Sequence, residues 1–156
     1  MDAPHGGFFG DPIESAGDIN GDGYGDLIAA AHEAQAPGGT GAVGRAYVYV
    51  GTETGAMLAV PLQDPNPRNE ARFGFGVAGL GDINGDGFDD FAVGDPLDVP
   101  NRAHVYLGGD DVPTTPTFAL TAPTSVDARQ FGYWIALAPA RRLHERAWRP
   151  FPSFAR

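Results

Sequence analysis

The nine residues Asp18-Ile19-Asn20-Gly21-Asp22-Gly23-Tyr24-Gly25-Asp26 recur 64 residues later as Asp82-Ile83-Asn84-Gly85-Asp86-Gly87-Phe88-Asp89-Asp90. Each copy places oxygen-bearing side chains at relative positions one, three, five and nine, and a glycine at six, where the backbone must turn sharply. That spacing suits a hard cation, because Ca²⁺ takes about six to eight oxygens at roughly 2.3–2.6 Å and a coiled loop supplies them from alternate residues plus one backbone carbonyl. The predicted ligands are Asp18, Asn20, Asp22 and Asp26 in the first loop, and Asp82, Asn84, Asp86 and Asp90 in the second. The backbone carbonyls of Tyr24 and Phe88 fill the position-seven places. Asp, Asn and Gly are also the ordinary currency of surface turns. Two copies in one register favour two Ca²⁺ sites over coincidence, and without the ion the clustered carboxylates should repel one another and leave the loops loose.

Helix-loop-helix calcium sites close with a bidentate carboxylate at position twelve. Here that position is Ala29 or Val93. The residues after each loop, Leu27-Ile28-Ala29-Ala30-Ala31 and Phe91-Ala92-Val93-Gly94, are short apolar runs bounded by turn formers, which predicts buried strands. The similarity extends beyond the loops: Phe9-Gly10 matches Phe73-Gly74, Ile13 matches Val77, and Tyr24 matches Phe88. Each unit continues with an alternating strand, Ala46 to Gly51 in the first and Ala103 to Gly108 in the second, and a third unit opens at Phe131-Gly132. Internal repetition of this kind decides the fold before any local assignment does.

These residues resemble the FG-GAP repeats of the integrin α-subunit β-propeller, which also occur in secreted bacterial proteins. The pattern there is a Phe-Gly strand, a Gly-Asp-x-Asn-x-Asp-Gly-x-x-Asp calcium loop, an apolar strand ending in Gly-Ala-Pro, and a Gly-x-x-Tyr-Val-Tyr-x-Gly strand. The second unit carries it as Phe73-Gly74, Gly81 to Asp90, Gly94-Asp95-Pro96 and Val105 to Gly108. The first carries it as Phe9-Gly10, Gly17 to Asp26, Ala30-Ala31-His32 and Tyr47 to Gly51. Both depart at the Gly-Ala-Pro step. The resemblance covers Phe8 to Ala138 and implies an all-β fold, an incomplete β-propeller of two FG-GAP blades plus the first strand of a third. On that division, 1–8 is an N-terminal remnant, 9–72 the first blade, 73–130 the second, 131–140 the start of a third, and 141–156 a basic tail.

Composition is compatible with many short strands joined by turns. Gly and Pro total 37 of 156 residues, yet 42% of the chain is apolar or aromatic, enough for a core. There is no cysteine, so neither disulfides nor thiol chemistry contributes. Charge is uneven: residues 1–140 carry 19 acids against five arginines, whereas 141–156 carry one acid and five arginines. An acidic body argues against nucleic acid and anionic membrane, both of which require a basic face, and favours cations. Calcium loops with few rigid constraints belong at the weak end of the affinity range, about 10⁻⁴–10⁻³ M, which suits an extracellular or cell-surface protein. The start Met1-Asp2-Ala3-Pro4-His5 shows no signal peptide, and no run reaches the roughly 20 apolar residues of a membrane span. Both facts are reconciled if the chain is a piece of a longer secreted protein.

A propeller closes with about four to eight blades, and each blade needs neighbours on both faces. Two units and a stub leave apolar faces open, which predicts self-association through blade edges. The resembled family typically has seven blades. After Ala138 the repeat calls for another Gly-Asp-x-Asn loop, but the sequence turns to Arg141-Arg142-Leu143-His144. We read that tail as a shifted reading frame; a calcium loop encoded in another frame after Ala138 is the expected nucleotide result.

No catalytic constellation emerges. Gly74-Phe75-Gly76-Val77-Ala78-Gly79 matches the spaced glycines of a dinucleotide site, but a calcium loop follows where a helix is required. His5, His32, His104 and His144 are scattered without metal-helix spacing, and His104 alternates with Val105 on a strand, facing solvent or a neighbouring blade. Ser15, Ser125 and Ser153 lack nucleophile-elbow glycines. Asp95, Asp98, Asp110 and Asp111 read as solvated turn residues, and Phe75, Tyr106 and Trp134 as blade packing. The sequence therefore predicts a calcium-binding adhesion or ligand-binding propeller segment with structural calcium, its ligand a protein or glycan by family resemblance. The alternatives are the accessory repeats of a secreted hydrolase or lyase whose catalytic domain lies elsewhere, and a non-functional gene remnant.

Overall fold

The computed structural model describes residues 7–36, 41–55, 57–97, 100–123 and 131–136. They form two four-stranded antiparallel sheets, each a meander in chain order. The first contains β1 (Ile13–Gly17), β2 (Asp26–Ala30), β3 (Ala46–Val50) and β4 (Leu58–Pro61); the second contains β5 (Val77–Gly81), β6 (Asp90–Asp95), β7 (Arg102–Tyr106) and β8 (Phe118–Thr121). Among the described residues there is no helix. The all-β expectation and the two incomplete-propeller blades are borne out. The glycine-spaced segment 74–79 leads into β5 rather than a helix.

The alternation of side chains along each strand explains the packing. In the first sheet Ile28 pairs with Val48 and Ala30 with Ala46, so these four project from one face. All four are buried, and they share one core with Phe73, Phe91, Val93 and Tyr106 of the second unit. The two sheets thus stack face to face, and β1 packs against β5. Phe73 is fully buried at this junction. Its N–H donates to the Val43 carbonyl at 3.0 Å, so the second unit begins by hydrogen-bonding to the first.

The opposite face of the first sheet carries the repeat-equivalents of the second sheet's buried residues. Tyr49 lies opposite Leu27 and Tyr47 opposite Ala29, as Tyr106 lies opposite Phe91 and His104 opposite Val93. Phe9 meets Tyr47 and Tyr49 edge-on, at 5.9 and 6.2 Å. Unlike Phe73, however, Phe9 is 43% exposed, and Ile13 beside it is 53% exposed. No described residue of another blade covers this face.

Three details differ from or refine the sequence reading. Asp95 is not a solvated turn residue: β6 runs on through it, paired with Arg102, and it is fully buried with its carboxylate 3.8 Å from the His104 ring. The strand extends further than the apolar run alone suggests, and an imidazole on the neighbouring strand gives the carboxylate company inside. His104 accordingly takes the blade-facing option, 2% exposed. Trp134, expected to pack, is 89% exposed. Asp110 and Asp111 are exposed as expected.

The third unit is described only at Phe131–Ala136, where a turn places Tyr133 against Phe75, ring centroids 4.4 Å apart. Over Phe131–Ala136 the chain is turn and coil, so no strand of a third blade lies among the described residues; residues 137–140, the basic tail 141–156, the segment 1–6, and Asp98, His5, His144, Ser125 and Ser153 lie outside them.

Candidate metal-binding loops

Each nine-residue motif forms the connection between the first two strands of its sheet, β1 to β2 and β5 to β6. Both hairpins have the same bulge at their base: pairing shifts between Ser15 and Gly17 in one, and between Gly79 and Gly81 in the other, so that Gly17 faces Asp26 and Gly81 faces Asp90. An extra residue of this kind bends the strand and re-aims the loop beyond it. The position-six glycines, Gly23 and Gly87, have φ of +87° and +97°, as the sharp turn requires.

Within the loops the two copies repeat the same hydrogen bonds. Asp18 accepts the N–H groups of Asp22 at 3.1 Å and Gly23 at 2.9 Å; Asp82 accepts those of Asp86 at 3.1 Å and Gly87 at 3.0 Å. Asp22 and Asp86 accept the N–H groups of Tyr24 and Phe88. Asn20 and Asn84 each donate their side-chain amide to Asp22 and Asp86, at 2.9 and 2.7 Å. The first, third and fifth positions are therefore drawn together on each loop; all three are exposed in the second, whereas in the first Asp18 and Asn20 are half-buried and Asp22 is exposed.

The ninth position behaves differently. Asp26 and Asp90 are buried, and each uses both carboxylate oxygens on the backbone. Asp26 accepts the Ile19 N–H at 2.8 Å and the Gly51 N–H at 2.9 Å. Asp90 accepts the Ile83 and Gly108 N–H groups, both at 2.8 Å. These carboxylates tie the loop to the end of the third strand of the same sheet. The role of Gly51 and Gly108 was not apparent from sequence, although both stand in the motif. A Cβ at Gly51 would collide with the Gly25 carbonyl oxygen, and one at Gly108 would lie 2.7 Å from the Ile19 carbonyl oxygen.

Electrostatics distinguishes the loop positions. The amides gathered by Asp82, that of Gly87 foremost, hold its carboxyl below the usual carboxylate range. Burial pushes Asp26 up, a shift opposed by its bonds to Gly51 and Ile19 and reinforced by the charges of Asp22 and Asp18. Neither loop contains a basic side chain. As placed, the acidic side chains point to loop amides rather than to one common centre: among the described residues no group of three His, Cys, Asp or Glu converges closely enough to grip a metal. The donor set nevertheless fits a hard cation. It is all oxygen, a hydrogen-bonded carboxylate oxygen keeps a second acceptor site, and a buried Asp26 beside two like charges is the arrangement that a cation relieves.

Comparison with known proteins agrees with this geometry. A family model described as "FG-GAP repeat" matches residues 13–49, which run from β1 through the first loop and β2 to Tyr49 on β3. Integrin alpha-4 of Xenopus laevis is 33% identical over 134 residues, covering 85% of this chain and 12% of its own length. The chain is an FG-GAP repeat protein with integrin α-like repeats. Integrin alpha-PS3 of Drosophila melanogaster is 38% identical over 105 residues, covering 64% and 8%, and human integrin alpha-10 is 48% identical over 65 residues, covering 41% and 6%. The FG-GAP chain thus spans about a tenth or less of the length of these relatives. No helix among its described residues is long and apolar enough to cross a membrane.

Proposed function

We propose that this FG-GAP chain is a calcium-stabilised segment of a propeller that binds a protein or glycan ligand outside the cell, and that it performs no catalysis itself. One observation carries the calcium assignment: two loops 64 residues apart share the same oxygen-rich sequence, the same bulged base and the same hydrogen bonds. Asp18, Asn20, Asp22 and Asp26, with the Tyr24 carbonyl, would hold one ion. Asp82, Asn84, Asp86 and Asp90, with the Phe88 carbonyl, would hold the other. A bound cation offsets carboxylate repulsion. The chain's own contribution is mechanical: Asp26 and Asp90 already connect each hairpin to its third strand, so a loop held at its acidic tip is held to three strands. By mass action a site at 100 times its dissociation constant adds about 2.7 kcal/mol to the folded state.

Ligand binding and the extracellular setting are drawn from the integrin α relatives and from the weak calcium affinity expected of loops with few constraints. These relatives are integrin α subunits, which favours adhesion over a hydrolase accessory role. The open face bearing Phe9, Ile13, Tyr47 and Tyr49 supports association with a further blade, whether of a longer chain or of a second copy. Calorimetric calcium titration tests the assignment. Wild type should take up two ions and Asp82→Ala one; equal stoichiometry in the two proteins would overturn it.

A further inference from the structure

Asp89 belongs to the second loop but acts on the first. Its carboxylate accepts the backbone N–H of Asp18 at 2.8 Å, and its own N–H donates to the Asp18 carbonyl at 3.0 Å. One residue of the second unit thus grips both backbone groups of the residue that opens the first loop. Beside it, the Gly109 N–H donates to the Ile19 carbonyl at 3.0 Å. Gly109 follows Gly108, whose N–H is bound by Asp90. Gly17, at φ +78°, leaves the space that the Asp89 carboxylate occupies; a Cβ there would collide with it. The Phe88 ring fills the space over Gly21, 2.7 Å from where a Cβ would stand. The first loop has Gly25 in the place of Asp89, so it carries no carboxylate with which to repeat the bracket.

We propose that Asp89 is a positioning residue that couples the two calcium loops, so that order in the second is transmitted to Asp18 and raises the affinity of the first. This rests on the reading that both loops take calcium. Asp89 lies between Phe88 and Asp90, the seventh and ninth positions of its own loop, so whatever fixes those residues fixes the bracket. Asp18 in turn orients the Asp22 and Gly23 amides. The first loop therefore begins from a pre-set residue when the second is ordered, and has to order that residue itself when it is not. Coupling between two binding sites is reciprocal, and effects of about fivefold or more are usual for it.

Four versions of the chain test this: wild type, Asp82→Ala, Asp89→Ala and Asp89→Asn, the last retaining an oxygen that can accept the Asp18 N–H. Calcium titration should show the first-loop site about fivefold or more weaker in Asp82→Ala than in wild type. Asp89→Ala should still bind two ions, with its first-loop site weakened similarly, and Asp89→Asn should follow wild type. In calcium-free buffer, amide hydrogen exchange at Asp18 should be faster in Asp89→Ala than in wild type or Asp89→Asn. Equal first-loop constants in wild type and Asp82→Ala, or unchanged Asp18 exchange in Asp89→Ala, would overturn the coupling. A wild type that binds no calcium would overturn both the metal assignment and the coupling. In that event the exchange difference would show that the bracket exists as a structural contact alone.

Discussion

The carboxylate of Asp26 accepts the backbone N–H of Gly51 at 2.9 Å, 25 residues further along the chain and at the far end of the third strand. Asp90 makes the same bond to Gly108. The ninth loop residue is therefore a strand fastener as well as a candidate ligand, and the glycine it reaches sits where a side chain would strike the loop backbone.

Replacing that glycine should be costly. In Gly51→Ala and Gly108→Ala the new methyl group meets backbone rather than a movable side chain, so the loop must shift away from its carboxylate anchor. Overpacking of this kind costs about 1–3 kcal/mol. Urea unfolding should show the midpoint of each variant lowered; midpoints equal to wild type would mean that the loop does not bear on the third strand as described.

Phe73 and Phe9 form a matched pair for measuring what a neighbouring blade contributes. Both open a repeat, but Phe73 is fully buried between the sheets and Phe9 is 43% exposed. Phe73→Ala should cost about 3–5 kcal/mol. Phe9→Ala loses edge contacts with two tyrosines and should cost about 1 kcal/mol or less. Similar losses in chemical denaturation would contradict the face assignment.

Tyr106 makes stability sensitive to alkali. Its ring stacks on Phe91 at 4.7 Å, its hydroxyl is buried without a hydrogen bond, and burial, with Asp64 and Asp95 nearby, pushes its ionisation well above that of a free tyrosine. Because the folded-state value is raised, the contribution is complete below about pH 10, where unfolded tyrosine is still protonated, and is lost as pH rises beyond it. The loss amounts to at most about 1.4 kcal/mol for each pH unit above 10. Tyr106→Phe should be at least as stable as wild type at pH 7, since it removes an unsatisfied hydroxyl, and should lose less stability between pH 10 and 11. An identical alkaline profile in the two proteins would refute this.

Much of the architecture was legible in the chain because two kinds of periodicity coincide. The alternation in Ala46-Tyr47-Val48-Tyr49-Val50 marks a strand with two distinct faces, and the spacing of Asp18, Asn20 and Asp22 marks a turn with its oxygens on alternate residues. What the chain could not disclose depends on neighbours. Phe9 and Phe73 share one motif, yet only the second has a blade over it. Asp95 reads as part of a Gly-Asp-Pro turn, and only the pairing of β6 with β7 shows it buried beside His104. Asp89 looks like one more acid in an acidic loop; its purpose appears once the second sheet is laid against the first and Asp18 comes within reach.

Counting bound ions tests the central assignment most directly. Equilibrium dialysis at saturating calcium, with wild type, Asp18→Ala, Asp82→Ala and the double variant side by side, should give two, one, one and zero ions per chain, with each protein checked as folded by its circular dichroism. Four equal values, or a folded double variant that still holds two ions, would contradict the account.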